Sequence, residues 1–238
     1  MKTRWLTAAL LLIAAGQSLA DTTFQPFVLA SINDTPLAAQ TAATRSALKA
    51  GGFTVAGEYA PLDTARVIVV TSDALLDVAA QTPRGGYAAG QRVSISERNG
   101  KTEVAFVNPL YIQHAYRLAS DMQPVYDRLT AALGEVESFG TKKGMTAKKL
   151  AKYNYMFGMQ KFDDPSELGR FDSHEAAVAA VEEGLARDGD ALTQVYRIDV
   201  PNTDQVVIGI GMKAVSEDDV DIDEAHQLSI VDFEGYSK

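Results

Sequence analysis

The sequence predicts an α+β fold in which helices pack on one face of antiparallel sheets. Three features favour this class: apolar segments joined across Asn99-Gly100, a helix-spaced apolar repeat before Gly51-Gly52, and a second pair of apolar segments joined across residues 201–204. Short turns of this kind join antiparallel strands, and the helical segments between them supply a second layer. The predicted order of elements is βαββαββα followed by βαβββ.

Composition places the chain among globular proteins and excludes several kinds of chemistry. It has 238 residues, of which 46% are hydrophobic and 22% are charged. Its 22 Lys and Arg residues against 31 Asp and Glu residues give a formal charge of -9, which argues against a general nucleic-acid-binding surface. It contains no Cys. Disulfides, thiolate catalysis, Cys-ligated zinc or iron–sulfur clusters and a lipidated N-terminal cysteine are therefore excluded.

Residues 1–20 have the pattern of a secretory signal peptide. Lys2 and Arg4 precede an apolar run over residues 5–15, and Ser18 and Ala20 are small residues at the minus-three and minus-one positions of a cleavage site. The alternative, a membrane anchor, needs about 20 apolar residues, and this run is shorter. We therefore expect cleavage near Ala20 and a periplasmic or secreted protein without a membrane anchor.

The first elements of the mature chain are predicted as a strand and a helix. Residues 27–32 form a short apolar run typical of a strand. Thr35 suits the N-cap of a helix and Pro36 its first position, and Gly51-Gly52 supplies the stop. One face of this helix repeats at helical spacing and is predicted to be buried: Leu37, Thr41, Thr44 and Leu48.

Two further strands, a helix and a hairpin are predicted next. Residues 53–59 and 66–71 are rich in β-branched and aromatic residues, and the second segment is apolar on both faces, which predicts a central strand. Asp73 can cap a helix that extends to Ala80. The hairpin has Asn99-Gly100 at its turn, because this dipeptide tolerates positive φ at both positions of a type I′ turn. Its apolar flanks are Val93, Ile95, Val104 and Phe106.

A helical stretch follows Asn108-Pro109 and ends at Gly134. Pro124 predicts a kink or a break between residues 111–119 and 125–133, because proline cannot continue the backbone hydrogen bonds of a helix. The character of the chain then changes in residues 138–152, which are rich in lysine and contain two glycines. We interpret this segment as a connector between an N-terminal domain over residues 21–137 and a C-terminal domain over residues 153–238.

The C-terminal domain is predicted to begin with a strand over residues 153–162. Asp172 and Glu175 have the spacing of a capping box, and the helix that follows is predicted to end near Gly189. The remaining elements are the hairpin of residues 193–200 with 205–212 and a last strand over residues 228–233.

His114 is the histidine that we single out among His114, His174 and His226. No two of them have the spacing of zinc ligands on one element. His114 lies where a helix starts directly after a strand, and Tyr111 lies on the same helical face. The alternative interpretation is a half-buried histidine whose hydrogen bonds are structural.

Residues 153–162 contain an unusual concentration of aromatic residues and methionines. By strand alternation Tyr153, Tyr155 and Met159 would share one face and Met156 the other. Methionine sulfur suits Cu(I) or a haem iron, although adaptable core packing explains the same residues. The candidate metal ligands are His114, Met156 and Met159. The candidate ligand-binding residues are Asn108, Tyr111, His114, Tyr153, Tyr155, Met156 and Met159.

Motifs of common enzyme and cation sites do not match. The acidic run around Asp219 resembles a calcium loop, but Glu224 stands where the sharp turn requires glycine. No nucleophile elbow and no phosphate-binding loop occurs.

The chain resembles the family called domain of unknown function 302. The resemblance is carried by residues 27–30, 52–55, 67–71 and 104–109. Tyr111 after Asn108-Pro109, together with residues 153–156, resembles a longer secreted bacterial form of the family. The resemblance implies a compact α+β domain, no agreed activity and no catalytic residues.

Two functional hypotheses follow. The first is an extracytoplasmic module that binds a small ligand, with haem and copper as candidates, or a partner protein, in a pocket between the sheets and residues 111–116. The second is a periplasmic enzyme in which His114 and a carboxylate or tyrosine form an acid–base pair. The absence of a nucleophile motif favours binding. The sequence specifies neither a cofactor nor an oligomeric state.

Overall fold

The computed structural model describes residues 22–154, 156–187, 189 and 191–213. The described strands are β1 (Thr23–Phe24), β2 (Phe27–Asn33), β3 (Thr54–Leu62), β4 (Ala65–Thr71), β5 (Gln91–Arg98), β6 (Lys101–Val107), β7 (Glu137–Phe139), β8 (Met145–Thr146), β9 (Leu192–Val200) and β10 (Gln205–Met212). Strands β2 to β7 form one antiparallel sheet in the order β3-β4-β5-β6-β2-β7. The pairs β1–β8 and β9–β10 form two smaller antiparallel sheets.

Helices complete the fold and confirm the predicted α+β class. They are α1 (Leu37–Ala50), α2 (Asp73–Ala80), α3 (Pro109–Ala115), α4 (Gln123–Leu133), α5 (Ala147–Leu150) and α6 (His174–Arg187). A short 3-10 helix occupies Gly85–Ala88. In the part of the chain that the structure describes, no helix combines the length and apolar character needed to cross a bilayer.

The main core lies between one face of the six-stranded sheet and helices α1 and α4. The predicted face of α1 is buried at all four positions: Leu37, Thr41, Thr44 and Leu48. The sheet contributes alternate residues of four strands: Val28, Ile68, Val70, Val93, Ile95, Val104 and Phe106. Each large apolar side chain that is fully buried in this way stabilises the fold by roughly 1.5–3 kcal/mol.

The β9–β10 hairpin packs on the opposite face of the sheet. Val69 alternates with the core residues of β4, so its side chain points away from α1. A Cβ on Gly90 would lie 3.3 Å from Val69 Cγ1 and 3.1 Å from Ile198 Cδ1, so this part of the sheet is closely covered by β9. A second apolar cluster forms here from Ala79, Ala89, Ile198 and Val200.

The predicted hairpin and helix break are confirmed. Asn99 and Gly100 have φ of 49° and 74°, as a type I′ turn requires, and they join β5 to β6. Strand β4 is paired on both sides, in agreement with its two apolar faces. The helical stretch divides into α3 and α4, with Pro124 in the first turn of α4.

Two predicted helix caps are wrong by one residue. Pro36 rather than Thr35 precedes the first residue of α1, and no side chain caps this helix. Ser72 rather than Asp73 caps α2, because the Ser72 hydroxyl accepts a hydrogen bond from the Leu75 amide. Both Ser and Asp are common at the N-cap position. Ser72 occupies it here because its backbone is extended, as the N-cap requires, whereas Asp73 already belongs to the helix.

The predicted strand over residues 153–162 is also wrong. Apart from Tyr155, which lies outside the described residues, the segment consists of turns and bends with one isolated bridge from Asn154 to Lys161. Phe157 is fully exposed at 105%, so the apolar residues do not form a buried strand face. Composition suggested a strand here, but no neighbouring strand pairs with the described residues.

The start of α6 also differs from the predicted capping box of Asp172 and Glu175. The helix begins at His174, and the Ser173 hydroxyl accepts a hydrogen bond from the Ala176 amide. The hairpin of β9 and β10 is confirmed. The predicted strand over residues 228–233 lies outside the described residues.

Residues 138–152, the predicted connector, contain regular structure. Part of β7 adds to the edge of the main sheet beside β2, and β8 pairs with β1. Leu150 of α5 is buried against α3. The domain division of 21–137 and 153–238 stays a prediction.

Candidate functional site

A cavity of about 200 Å³ lies between β5, β6, α3, the 3-10 helix and the β9–β10 hairpin. Its aromatic and polar walls include Tyr87, Gln91, Arg92, Tyr116 and Tyr196. Val107, Ile112 and Val207 add apolar surface. We call this site the tyrosine cavity. It combines an apolar lining with a few converging polar groups, the usual composition of a small-molecule site.

Tyr87 and Tyr116 form one wall of the tyrosine cavity. Tyr116 follows the last residue of α3, and Tyr87 belongs to the 3-10 helix. Their rings stack with centroids 4.7 Å apart and planes inclined by 22°. Tyr87 remains 47% exposed. A paired aromatic surface is therefore available at the mouth of the cavity.

Tyr196 forms a second wall, and a glycine fixes its ring. Tyr196 of β9 is the direct cross-strand partner of Gly209 in β10. A Cβ at Gly209 would lie only 1.8 Å from Tyr196 Cε1, so the ring lies over the glycine backbone. Because no larger residue would leave room for the ring, Gly209 holds one side of Tyr196 in place and leaves the other side to line the cavity.

Arg92 supplies positive charge to the cavity. Its neighbour Val93 is buried in the main core, so strand alternation places Arg92 on the opposite face. Of the cavity-lining residues that the structure describes, Arg92 alone is charged, and within residues 22–213 as described it forms no ion pair. Among the described residues, no carboxylate therefore neutralises this guanidinium.

The phenols near Arg92 are neutral at physiological pH. Burial raises the pKa of Tyr116, Tyr87 raises it further, and Arg92 lowers it. Burial likewise raises the pKa of Tyr196, and Arg92 opposes this shift. Arg92 therefore acts on both phenols, and no tyrosinate compensates its charge.

Gln91 borders the cavity, but its side chain lies on the other face of the sheet. It pairs with Val70 of β4 and alternates with Arg92, so it shares the face of the core residues Val70 and Val93. Its Oε1 atom is buried and has no hydrogen-bond partner among the described residues. Leaving a buried polar atom unpaired costs about 1–3 kcal/mol, and this cost falls on the core side of the sheet rather than in the cavity.

Asn108 and Tyr111, two of the predicted site residues, have structural contacts in the fold. Asn108 is the N-cap of α3: its Oδ1 accepts from the Leu110 amide and its Nδ2 donates to the Gln25 carbonyl. Tyr111 is 8% exposed and contacts Phe162 edge-on, with ring centroids 6.0 Å apart. Neither lines the tyrosine cavity.

His114 packs on the N-terminal strand rather than in the cavity. Its ring centroid lies 4.5 Å from that of Phe24. Burial lowers the pKa of His114, and the charge of Asp121 opposes this change. The imidazole is therefore held mainly in its neutral form at pH 7, on a different part of α3 from the cavity-lining Ile112 and Tyr116.

Tyr153, Met156 and Met159, predicted site residues of the 153–162 segment, lie at or near the surface. Tyr153 stacks on Phe162 with centroids 5.6 Å apart. Met156 is 61% exposed and Met159 is 49% exposed. Tyr155 lies outside the described residues. Among the residues described, no group of three or more His, Asp or Glu side chains is placed to hold a metal ion.

Tyr111 leads to a prediction about alkaline stability. Burial raises the pKa of its phenol to about 12, with further increases from Tyr153 and Tyr116. Because an unfolded phenol ionises near pH 10, the stabilisation is complete below that pH and is lost as pH rises through about 12. Between these two pH values the unfolding free energy of the unaltered protein should fall by about 3 kcal/mol through Tyr111, and Tyr111→Phe should abolish this part of the fall. Urea denaturation across this range measures it, and an unchanged pH profile in the variant would contradict the assignment.

The sequence prediction did not include the residues of the tyrosine cavity. Tyr116 lies five residues after Tyr111, but nothing local connects it to Tyr196. The available signals were Arg92, a charged residue between two buried positions of a strand, and the Gly209-Ile210-Gly211 segment, where glycine interrupts an apolar strand.

A second depression lies beside the β5–β6 turn. It is wider and more open, with a volume of about 330 Å³. Lys101 and Asp34 in its wall already form an ion pair of 2.5 Å. Since this ion pair already occupies two of its charged residues and its walls are mostly turn residues, it offers less to a ligand than the tyrosine cavity.

Comparison with known proteins gives one structural likeness. No family model matches the chain, and no curated protein matches it. Among solved structures, the chain is similar to the "uncharacterized conserved protein DUF302 from Bacillus stearothermophilus", with 17% sequence identity and a TM-score of 0.40. The similarity covers 47% of this chain and 97% of that chain. Membership in the domain of unknown function 302 family therefore stays a prediction.

Proposed function

We propose that the protein is an extracytoplasmic binding protein that holds a small organic molecule in the tyrosine cavity. The observation that carries this proposal is a cavity lined by the rings of Tyr87, Tyr116 and Tyr196 together with Arg92, a side chain that forms no ion pair with any described residue. Aromatic walls with a charged side chain among them are the kind of lining that small-molecule sites have. The signal-like residues 1–20 and the resemblance to a secreted bacterial form support the location.

The size of the cavity sets the size of the ligand. Pockets that enclose drug-sized molecules measure about 300–1,000 Å³, and this cavity measures about 200 Å³. The proposed ligand is therefore smaller than a typical drug molecule, and a porphyrin would not be enclosed.

The proposal is tested on protein recovered after export. Its intact mass should correspond to a chain that begins at Asp21. The tyrosine rings are isotope-labelled, and their NMR signals are followed while neutral, cationic and anionic fragments are added. We expect at least one fragment to shift the signals of Tyr87, Tyr116 and Tyr196 with a Kd below about 1 mM. The signals of Tyr126 and Tyr153, which lie outside the cavity, serve as internal controls.

Haem and Cu(I) are titrated into the same protein, since the sequence suggests both as candidate ligands. If either binds with micromolar affinity and His114→Ala abolishes the signal, the site is at His114 and the cavity proposal is overturned. The cavity proposal is likewise overturned if no fragment of any charge shifts the three cavity tyrosines.

A further inference from the structure

We infer that residues 142–154 and 156–161 bind the face of an anionic lipid bilayer, with lysines at the headgroups and an apolar turn inserted between them. We call these residues the basic surface. The inference goes beyond the proposed function, because the basic surface is separate from the tyrosine cavity. Three observations carry it: a local positive charge, a turn with exposed apolar side chains, and the packing that holds this turn beside the lysines.

The basic surface has a charge opposite to that of the rest of the chain. Residues 142–161 contain six Lys and no Asp or Glu, whereas the whole chain has a formal charge of -9. An anionic bilayer attracts such a cluster, and each lysine near its surface contributes about fivefold in affinity. All six lysines are exposed: Lys142, Lys143, Lys148, Lys149, Lys152 and Lys161.

A turn in the basic surface exposes apolar side chains to solvent. An isolated antiparallel bridge between Asn154 and Lys161 closes the turn at its base. A Cβ on Gly158 would have no heavy atom within 4 Å, so this part of the turn projects from the protein. Exposed apolar side chains that lie close together mark an interaction site. They are Met156, Phe157 and Met159, of which Phe157 is fully exposed.

Packed residues hold the lysines beside the base of this turn. Tyr153 stacks on Phe162 with ring centroids 5.6 Å apart. These two residues directly follow Lys152 and Lys161, so the two lysines flank the base of the turn. Leu150 of α5 is buried in a cluster against which Phe162 also packs, and it keeps the lysines of α5 near the same base.

The first acidic residues after the basic surface are Asp163 and Asp164, and both make contacts at the base of the turn. Asp163 forms an ion pair with Arg117. Asp164 accepts a hydrogen bond of 2.9 Å from the Lys161 amide through Oδ2. The exposed part of the turn is therefore surrounded mainly by lysines.

A bilayer fits this combination better than a protein partner does. Protein interfaces are depleted in Lys, and their centres are apolar and closely packed. Here lysines surround apolar side chains that project from a turn. Elements that lie on a bilayer combine lysines for the headgroups with apolar side chains that enter the boundary of the acyl chains. A long lysine side chain can reach a headgroup while Phe157 lies deeper.

The test measures the binding of exported protein to lipid vesicles by co-sedimentation. Vesicles of phosphatidylcholine are compared with vesicles of phosphatidylcholine and phosphatidylglycerol in equal parts. We expect binding to the anionic vesicles to be at least about tenfold tighter and to weaken as salt screens the charges. Equal binding to both kinds of vesicle, or binding to neither, would overturn the inference.

Two pairs of substitutions separate the basic surface from a general effect of charge. Lys149→Gln with Lys152→Gln should weaken binding to the anionic vesicles at least about tenfold. Arg98→Gln with Lys101→Gln removes the same charge at the β5–β6 turn, at the opposite end of β6 from α3. This control pair should bind as the unaltered protein does. Equal losses in the two pairs would show that no specific surface is involved.

A tryptophan in the turn reports whether the apolar side chains enter the bilayer. The single Trp of the chain is Trp5, so protein that begins at Asp21 contains none. The emission of Phe157→Trp should move to shorter wavelength on anionic vesicles, because the indole leaves water. Ile32→Trp is the control, since Ile32 is also exposed but lies in β2. No shift for Phe157→Trp, or the same shift for both variants, contradicts insertion.

Poly-glutamate represents an acidic protein as the alternative partner. We expect the exported protein to bind it much more weakly than the anionic vesicles, because poly-glutamate offers no apolar layer to the turn. If it binds as tightly as the vesicles and Lys149→Gln with Lys152→Gln abolishes this binding, the basic surface serves an acidic protein and the bilayer inference is overturned.

Discussion

Gly57→Ala should lower the free energy of unfolding by about 3 kcal/mol, at the upper end of the cost of overpacking. A Cβ at this position in β3 would lie 2.3 Å from the Val195 carbonyl oxygen and 2.9 Å from Tyr196 Cβ. The first of these is a backbone atom, which cannot turn away as a flexible side chain can. The methyl group must therefore push β9 away from the main sheet. Urea denaturation measures the change.

Gly184→Ala is the matched control for that substitution. Gly184 lies in α6, and the nearest atom to a Cβ there is Arg187 Nη2 at 3.9 Å. Alanine in an open helical position should stabilise by about 0.5–1 kcal/mol, because glycine is the poorer helix former. If Gly57→Ala were as harmless as Gly184→Ala, β9 would not pack on β3 as described.

The elements that sequence periodicity predicted correctly are those whose signal is local. Helix α1 has its buried face at four positions of helical spacing, and the Asn99-Gly100 turn requires a hairpin wherever it lies between apolar strands. Burial and turn geometry agree in both cases. Such elements can therefore be predicted without knowing what packs against them.

The wrong elements are those that depend on distant partners. Residues 153–162 have the composition of a strand, but a strand is stable only when it pairs with another strand. The described residues of this segment form one isolated bridge, between Asn154 and Lys161. Conversely, β8 is too short to leave a sequence pattern and exists because β1, more than a hundred residues earlier, pairs with it. Composition does not show such pairings.

The position of the cavity, but not its residues, could be anticipated. A pocket between the sheets and residues 111–116 was expected, and the tyrosine cavity lies there. The expected residues lie elsewhere: Asn108 caps α3, Tyr111 packs edge-on against Phe162, and His114 packs against Phe24. Which face of a short helix meets a cavity depends on strands that are far away in sequence, here β9 and β10.

Gly209→Ala tests the placement of the Tyr196 ring directly. A Cβ 1.8 Å from Tyr196 Cε1 leaves no room for the ring, so the ring must leave its position or the hairpin must separate. We expect a loss of about 3 kcal/mol in unfolding free energy. A ring moved into solvent also loses the burial that raises its pKa, so the pKa of Tyr196 should fall. Denaturation and an NMR titration of the labelled ring measure the two effects.

Gly211→Ala is the control for Gly209→Ala, because it lies two residues further along the same strand. Its Cβ would meet Val195 Cγ2 at 3.5 Å, an ordinary contact, so its effect on the unfolding free energy and on the Tyr196 signal should be small. The clash also predicts that the effects of substitutions at positions 196 and 209 on the unfolding free energy are strongly non-additive. In a Tyr196→Ala background, Gly209→Ala should cost at least about 2 kcal/mol less than in the unaltered protein, because the ring that causes the clash is absent. Equal costs in the two backgrounds would show that the glycine is required by the strand itself, and the ring would then have another position.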